Sequence, residues 1–145
     1  MTAEVHVARF AELTPDTLYG ILRLRSDVFV VEQECAYPDI DGRDLEPDAW
    51  HLWIEADGEV VAYLRVLEGP PDGALRIGRV VTSPTARGQG LAAALVHKAL
   101  AETMGPVVLD AQSYLVEWYQ GLGFTVIGDE YLDDGIPHTP MKLER

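Results

Sequence analysis

Residues 87–92, RGQGLA, combine an arginine and two glycines just before an alanine- and leucine-rich run. That run predicts a helix, and the first turn of a helix offers free N–H groups and the positive end of the helix dipole to an anion. A Cβ at Gly88 or Gly90 would keep phosphate oxygens away from the backbone. No Walker lysine follows, which excludes a P-loop NTPase. The stretch is therefore interpreted as a diphosphate cradle, with Arg87 as a nearby cation.

Two other interpretations of the same glycines stay open from the residues alone. The pair could provide only a flexible loop before a helix, because short glycine motifs often match by chance. Gly88, Gly90 and Ala93 also fit G-x-G-x-x-A, and Asp110 follows about 20 residues later, as in a dinucleotide fingerprint. The context disfavours that fingerprint, because residues 82–87 separate the first glycine from the preceding strand and an antiparallel meander comes before it.

Strands and helices alternate around this stretch. Thr14 before Pro15 predicts the start of a helix over 15–28, and Asp57-Gly58 between two β-rich runs predicts a hairpin. Turns are predicted at 69–73 and 133–135, and Ser113 is the predicted N-cap of a helix that ends near residue 120. Further strands are predicted over 5–10, 75–81, 106–111, 124–127 and 141–143, a helix follows Gly90, and residues 29–49 form a long acidic loop. This order predicts a mixed sheet with helices packed against it.

Composition excludes several classes of protein. The 145 residues suit one domain, 1–145, and 48% hydrophobic residues exclude a disordered chain. A net charge of −13 argues against a nucleic-acid partner and favours a cationic small molecule. The single cysteine, Cys35, fits a reducing compartment. Without a visible signal peptide or a membrane-spanning apolar run, a cytoplasmic protein without a membrane partner is expected.

At this point the sequence resembles a known family. RGQGLA is similar to the R/Q-x-x-G-x-G/A signature of the GCN5-related N-acetyltransferases (GNAT), whose strand-loop-helix holds the pyrophosphate of acetyl-CoA. The family commonly has asparagine where Gln112 stands, and a tyrosine, here Tyr119, just before a Gly-Phe pair. Residues 24–45, 78–88 and 133–141 resemble its ElaA-like branch. The resemblance implies a single-domain α/β (α+β) GNAT fold, with a mostly antiparallel sheet and one splayed parallel pair, flanked by helices.

The resemblance also implies a site. Acetyl-CoA, the expected co-substrate, would lie between the splayed strands that end near residues 81 and 110, and the Val81 N–H would stabilise the developing charge on the carbonyl oxygen. Tyr119 would be the general acid that protonates the departing thiolate. No covalent enzyme intermediate and no metal are required. The implied cofactor-binding residues are Val80, Val81, Thr82, Arg87, Gly88, Gln89, Gly90, Leu91, Ala92, Gln112 and Tyr119.

The general base stays open between three residues. Glu32 follows an apolar run, so desolvation is expected to raise its pKa into the useful range. His51 opens a strand next to the acidic loop, and His138 is a third candidate. The ordinary alternatives are a solvated glutamate and a histidine with a purely structural role. The predicted catalytic set is Tyr119, Glu32 and His51.

Charged residues of the first helix and the acidic loop allow two further roles. Arg23 and Arg25 are expected to pair with Asp39, Asp41 or Asp44, or else to bind a carboxylate of the acceptor. The stretch DIDGRD at 39–44 invites comparison with a calcium loop, but its glycine is fourth where an EF-hand has it sixth.

A thiol nucleophile is a weaker hypothesis. Cys35 could pair with His51, although a packed thiol is the more usual role of such a residue.

The sequence therefore predicts an acetyl-CoA-dependent N-acetyltransferase. It would move an acetyl group to a primary amine of a small molecule or peptide by direct attack in a ternary complex, and a homodimer is compatible with the family. The alternatives are a non-catalytic acyl-CoA-binding regulatory module on the same fold and a nicotinamide-dependent enzyme.

Overall fold

A computed structural model describes residues 3–69 and 73–145 of the protein. Short 3₁₀ turns cover Phe10–Glu12, Arg43–Leu45, Pro84–Ala86 and Ser113–Leu115. The strands are β1 His6–Ala8, β2 Trp50–Ala56, β3 Glu59–Glu68, β4 Leu75–Thr82, β5 Val107–Gln112, β6 Thr125–Val126, β7 Tyr131–Asp133 and β8 Ile136–Leu143. The helices are α1 Pro15–Arg25, which continues as a π-helical segment over Ser26–Glu32, α2 Leu91–Glu102 and α3 Val116–Gly121.

The strands in the described ranges form one mixed sheet. Its order is β1-β2-β3-β4-β5-β8-β6, and β7 pairs with β8 at the side of this path. All the neighbouring strands are antiparallel except β4 and β5, which run parallel. The predicted mixed sheet with one parallel pair is confirmed.

The parallel pair separates soon after it begins. Its register joins only Leu75 to Val107 and Arg76 to Val108 within the described chain. Further along β4 the pairing with β3 shifts, so that Gly78 faces Arg65 but Val81 faces Tyr63. Such a bulge bends its strand, and Arg79 within it has φ 53°. The later parts of β4 and β5 therefore diverge, and this is the gap expected between the splayed strands.

Two apolar clusters lie against opposite faces of the sheet. One face packs α2 and α3 against the strands through residues such as Leu95, Leu109 and Tyr119. The other face packs α1 through Ile21 and Leu24 against strand residues that include Tyr63. Side chains alternate along a strand, so Asp110 and Gln112 of β5 lie on the face opposite Leu109 and Ala111. This second face is where the acidic loop crosses the sheet.

Local sequence signals predicted several helix starts and turns correctly. Thr14 caps α1, since its Oγ1 accepts a hydrogen bond from the Thr17 N–H at 3.2 Å. The hairpin at Asp57-Gly58 forms between β2 and β3, and β7 and β8 turn at residues 134–135. The helix after Gly90 begins at Leu91 as expected. Most of the predicted turn at 69–73 lies outside the described residues.

Other boundaries need correction. The helical path extends to Glu32, so the loop expected from residue 29 begins at Gln33, because Val28 packs in the core and holds that turn to the sheet. Ser113 does not cap α3; its hydroxyl is 2.9 Å from the Thr139 hydroxyl of β8. The first strand and β6 are shorter than expected, and β8 runs from Ile136 rather than from residue 141.

Candidate active site

A cleft of about 730 Å³ opens where β4 and β5 diverge. Its walls come from both faces of the sheet, since the lining includes Tyr119 of α3, His138 of β8 and Glu32 of the π-helical segment. Val80, Val81 and Thr82 line it along β4. Because β5 has moved away, the peptide groups of residues 80–82 that point towards it lack a strand partner on that side within the described chain.

The bend at residues 87–93 lies at the rim of this cleft, with Arg87 and Ala92 on the lining. Gly88 and Gly90 have φ of 80° and 75°, and a Cβ built on either meets no heavy atom within 4 Å. Such a left-handed backbone favours glycine. The first bond of α2 runs from the Ala94 N–H to the Gly90 carbonyl. Across residues 3–69 and 73–145, the N–H groups of residues 88–93 find no acceptor, so they are available to a ligand.

Arg87 connects this bend to the opposite wall. Its Nη1 and Nη2 donate to the two carboxylate oxygens of Glu32, each at 2.7 Å, and its Nε donates to the Thr82 carbonyl at 3.2 Å. The hydrogen bonds from Arg87 lower the pKa of Glu32. The expected rise by desolvation is therefore wrong, because the carboxylate is exposed and paired with a cation.

Tyr119 is buried, with 5% of its surface exposed, between Trp118 and Phe124 in edge-to-face contacts. Its hydroxyl forms no hydrogen bond with any described residue and yet is not fully enclosed, so it opens into the cleft that the residue lines. Burial raises the pKa of this phenol, and Tyr114 adds a smaller rise. A neutral hydroxyl without a protein partner is suited to giving a proton to a bound group.

Gln112 at the end of β5 bonds across the cleft. Its amide donates to Gln33 Oε1 at 3.2 Å and accepts from Gln33 Nε2 at 3.1 Å. Sequence reasoning missed Gln33, because nothing near it in the chain points to a partner 79 residues away. The amide pair ties the end of the π-helical segment to the edge of the splay.

The structure does not bring His51 to the cleft. This residue is 1% exposed, its Nε2 donates to the Asp44 carbonyl at 3.0 Å, and its Nδ1 accepts from the Tyr63 hydroxyl at 2.7 Å. Burial lowers the pKa of His51. Both ring nitrogens are engaged away from Tyr119. His138, by contrast, lines the cleft.

Three arginines and three aspartates form a cluster beside the cleft, here called the Arg–Asp cluster. Arg25 Nη1 is 2.7 Å from Asp44 Oδ1, and its Nε is 3.0 Å from Asp39 Oδ2, which confirms the pairing expected for this helix residue. Arg23 instead lies 3.8 Å from Asp27 at the surface. The members of the Arg–Asp cluster are Arg25, Arg65, Arg79, Asp39, Asp41 and Asp44.

Sequence reasoning missed the two strand members. Arg65 Nη2 is 2.6 Å from Asp41 Oδ2, and Arg79 Nη2 donates to the Asp39 carbonyl at 3.1 Å. The available signal was the single arginine inside the apolar run VVAYLRVL, since a buried cation needs a carboxylate. Burial alone would raise the pKa of Asp44, but the hydrogen bond from Arg25 and the charge of Arg65 lower it. The Arg–Asp cluster therefore fastens the acidic loop to the sheet.

The remaining sequence hypotheses find little support in these contacts. Among the residues that the structure describes, no group of three or more His, Cys, Asp or Glu could hold a metal ion. Cys35 is nearly buried, and its Sγ lies 3.5 Å from the Asp134 carbonyl, which joins the acidic loop to the β7–β8 turn. No helix in the described part of the chain is long and apolar enough to cross a membrane.

Comparison with known proteins identifies the class. Residues 24–145 match the family described as Acetyltransferase (GNAT) domain, so the chain belongs to the GNAT family. The fold is that of an acyl-CoA-dependent N-acyltransferase. Within the family the chain is similar to protein ElaA of Escherichia coli, at 43% identity over 141 residues that cover 92% of each chain.

Other relatives agree with this assignment. The UPF0039 protein Rv2851c of Mycobacterium tuberculosis is 50% identical over 134 residues, 90% of this chain and 86% of that protein. An acyl-CoA N-acyltransferase structure from Pseudomonas aeruginosa superposes with TM-score 0.91 at 42% identity, covering 98% and 99% of the two chains. The ElaA structure gives 0.90 at 39% identity over 99% and 100%. The GNAT resemblance and its ElaA-like branch, predicted from the sequence, are confirmed.

Proposed function

We propose that this protein transfers an acetyl group from acetyl-CoA to a primary amine by direct attack in a ternary complex. One observation carries the proposal: the main-chain N–H groups of residues 88–93, which have no acceptor among the described residues, lie at the rim of the cleft between β4 and β5, and Tyr119, whose hydroxyl has no described partner, lines that cleft. A thioester co-substrate needs a grip for its diphosphate, a slot for its extended arm and a proton for its leaving thiolate. The cleft offers groups suited to all three.

The bend suits a diphosphate in chemistry and in shape. The N–H groups of Gly88, Gln89, Gly90, Leu91 and Ala92 would donate to its oxygens, and the dipole of α2 favours its charge. Open space at both glycines leaves room for the close approach. Arg87 is held beside this bend by Glu32, which already balances its charge, so the main-chain N–H groups are the donors expected to bind the diphosphate.

The divergence of β4 and β5 supports the next part of the site. Peptide groups of Val80, Val81 and Thr82 would form strand-like hydrogen bonds with the arm of acetyl-CoA. The Val81 N–H predicted for charge stabilisation points to β3 instead, because Val81 lies opposite Tyr63 in the register in which the Ser83 N–H bonds the Val61 carbonyl. A main-chain N–H on the gap side of β4, such as that of Thr82, would stabilise the negative charge that develops on the thioester oxygen, and Gln112 lines the same gap. Holding the thioester and the amine in register supplies much of the rate.

Tyr119 would act as the general acid. Its hydroxyl has no competing acceptor among the described residues, and burial keeps the phenol protonated. The amine nitrogen forms a bond to the carbonyl carbon, the carbon–sulfur bond breaks, and the electron pair leaves with sulfur. Tyr119 gives its proton to that sulfur and recovers a proton from the acylated nitrogen, so the residue is unchanged after each turnover.

The charges on the cleft lining favour a cationic acceptor without a carboxylate. Each arginine on the lining is already paired, which leaves no unneutralised cation there for an acceptor carboxylate. These pairs, all between described residues, are Arg43–Glu46, Arg65–Asp41, Arg76–Asp110, Arg79–Asp39 and Arg87–Glu32. The net charge of −13 acts in the same direction.

The test measures coenzyme A binding by calorimetry and thiol release from acetyl-CoA with a panel of amines. Amino acid amides are compared with the corresponding free amino acids, and acetyl-CoA is compared with longer acyl-CoA donors. We expect binding, thiol release with the amides, weaker activity with the free acids, and a preference for acetyl. Failure to bind coenzyme A would overturn the proposal. Binding without thiol release from any donor across the panel would favour a non-catalytic acyl-CoA-binding module instead.

A further inference from the structure

We infer that His138 is the general base, and that its Nε2 takes the proton from the ammonium group of the acceptor before attack. The inference rests on the proposed function, because it assigns one more residue to the same reaction. It is carried by the hydrogen bonds of the three candidate bases and by the position of His138 on β8.

The tautomer of His138 follows from one hydrogen bond. Its Nδ1 lies 2.8 Å from the carbonyl oxygen of Ile136. A carbonyl oxygen can only accept, so Nδ1 must carry the hydrogen. In the neutral ring the lone pair is therefore on Nε2, and a base needs that lone pair to be free.

Nε2 is also accessible. It accepts no hydrogen bond from the described part of the chain, and it is not among the enclosed polar atoms without a partner. Because His138 lines the cleft, this nitrogen opens to the space that the acceptor would enter. The ring stacks on Tyr131 of β7, with centroids 6.1 Å apart and an interplanar angle of 29°. That contact restricts the rotation of the imidazole.

The sheet places His138 opposite Tyr119. In the β5–β8 ladder His138 pairs with Gln112, whose side chain lies on the face that carries the Arg–Asp cluster. Tyr119 reaches the cleft from the other face, where α3 packs. The hydrogen-bonded hydroxyls of Ser113 and Thr139 hold β5 to β8 at this point. A base on one face and an acid on the other suit an amine and a thioester that meet within the gap.

The other two candidate bases are paired with donors within the protein. Both carboxylate oxygens of Glu32 accept from Arg87 at 2.7 Å. The lone pair of His51 accepts from the Tyr63 hydroxyl, and the residue is enclosed. Glu32 also lines the cleft, but its charge is balanced by Arg87, whereas the basic nitrogen of His138 has no hydrogen bond from a described residue.

The step balances without another reactant. His138 Nε2 takes one proton from the ammonium, which leaves a neutral amine with the lone pair that forms the new carbon–nitrogen bond. His138 then releases that proton to water. The thiolate takes its proton from Tyr119 as described above, so the net products are an amide, a thiol and one proton.

The experiment uses H138Q and H138A in the full chain, with H97Q as control, since His97 is exposed on α2. Two amines of similar size are compared, ethylamine, which is cationic in neutral buffer, and 2,2,2-trifluoroethylamine, which is largely neutral there. With ethylamine we expect kcat/KM to fall by about 100-fold in both variants. With trifluoroethylamine the loss should be much smaller. Added imidazole should restore part of the H138A rate, and affinity for coenzyme A should not change.

The inference would be overturned by wild-type kcat/KM in H138Q and H138A. It would equally be overturned by a loss that is the same for both amines and is not restored by imidazole, since that pattern indicates a structural role. If the wild type binds coenzyme A and yet releases no thiol with any amine, the proposed function fails and the inference fails with it. Thiol release by the wild type with unaltered variants would contradict the inference alone.

Discussion

The Arg–Asp cluster and the bend at residues 87–93 border the same cleft, but the protein balances the charges of the cluster and leaves the main-chain donors of the bend unbonded within the described chain. In the cluster, carboxylates bind arginines at 2.6–3.3 Å. At the bend, consecutive main-chain N–H groups find no acceptor within the described chain. One cleft therefore borders both charges that the fold itself neutralises and donors that are available to an external anion.

This difference separates residues that build the site from residues that would act in it. A buried charge is costly unless it is paired, so the cluster must be complete before any ligand arrives. Exposed N–H groups at a helix start are satisfied by water at little cost, so the bend can stay open without destabilising the fold. Changes in the cluster should therefore affect stability, and changes at the bend and at Tyr119 should affect binding and turnover.

The largest effect is expected for Asp44→Asn. Asp44 Oδ1 contacts both Arg25 and Arg65, and the residue is 6% exposed. Removing its charge leaves two buried cations short of a partner, which costs about 3–5 kcal/mol of unfolding free energy. Urea denaturation measures this loss, with Glu46→Gln of the exposed Arg43 pair as control at below about 1 kcal/mol. Equal stability of the two variants would contradict a structural role of the Arg–Asp cluster.

A second change, Gly90→Asp, tests diphosphate binding at the bend of residues 87–93. The new carboxylate would stand where the diphosphate binds, and like charges at that distance cost several kcal/mol, so affinity for coenzyme A should fall by more than about 100-fold. Gly58→Asp is the matched control, because Gly58 has φ 78° and equally open space but lies in the β2–β3 hairpin. Calorimetry on both variants separates charge at the bend from backbone strain. Similar affinity in G90D and G58D would contradict the diphosphate assignment.

Tyr119→Phe removes only the hydroxyl, which has no hydrogen-bond partner among the described residues. Turnover should fall by about 100-fold where chemistry is rate-limiting, while affinity for coenzyme A stays near the wild-type value. Tyr19→Phe, on an exposed tyrosine outside the cleft, should change neither quantity. Thiol-release kinetics give the result, and an unaltered kcat in Y119F would exclude this residue as the acid.

Lowering the pH should weaken the ion pairs of the Arg–Asp cluster before it affects the main-chain N–H groups of the bend. Hydrogen bonds from Arg65 outweigh burial and lower the pKa of Asp41, and Arg25 does the same for Asp44. Both pKa values lie below those of the unfolded chain, so this stabilisation is complete above about pH 5 and is lost as pH falls below about 4. Thermal melting as a function of pH should show the decline, with a shallower slope in Asp41→Asn. The same slope in that variant would mean that other groups control acid unfolding.

The sequence predicted features that depend on neighbouring residues, but it did not predict contacts between residues far apart in the chain. The N-cap at Thr14, the hairpin at Asp57-Gly58 and the glycine bend are local features, and each was placed correctly. Ser113 failed as a cap because a hydroxyl 26 residues away bonds it instead. The same limit hid Gln33, Arg65 and Arg79, whose partners lie on other elements.

The sequence by itself determined the class of this protein. Arg87, Gly88 and Gly90 before α2, together with Tyr119, carried the resemblance to the GNAT family, and the family match over residues 24–145 confirms it. Such a motif can be recognised in the sequence because left-handed turns and helix starts depend on neighbouring residues. Only the tertiary structure decided which polar groups are hydrogen-bonded within the protein and which are open to a ligand. Glu32 and His51 resembled bases until the fold brought Arg87 and Tyr63 to them, and His138 kept a free nitrogen because the sheet left it facing the cleft.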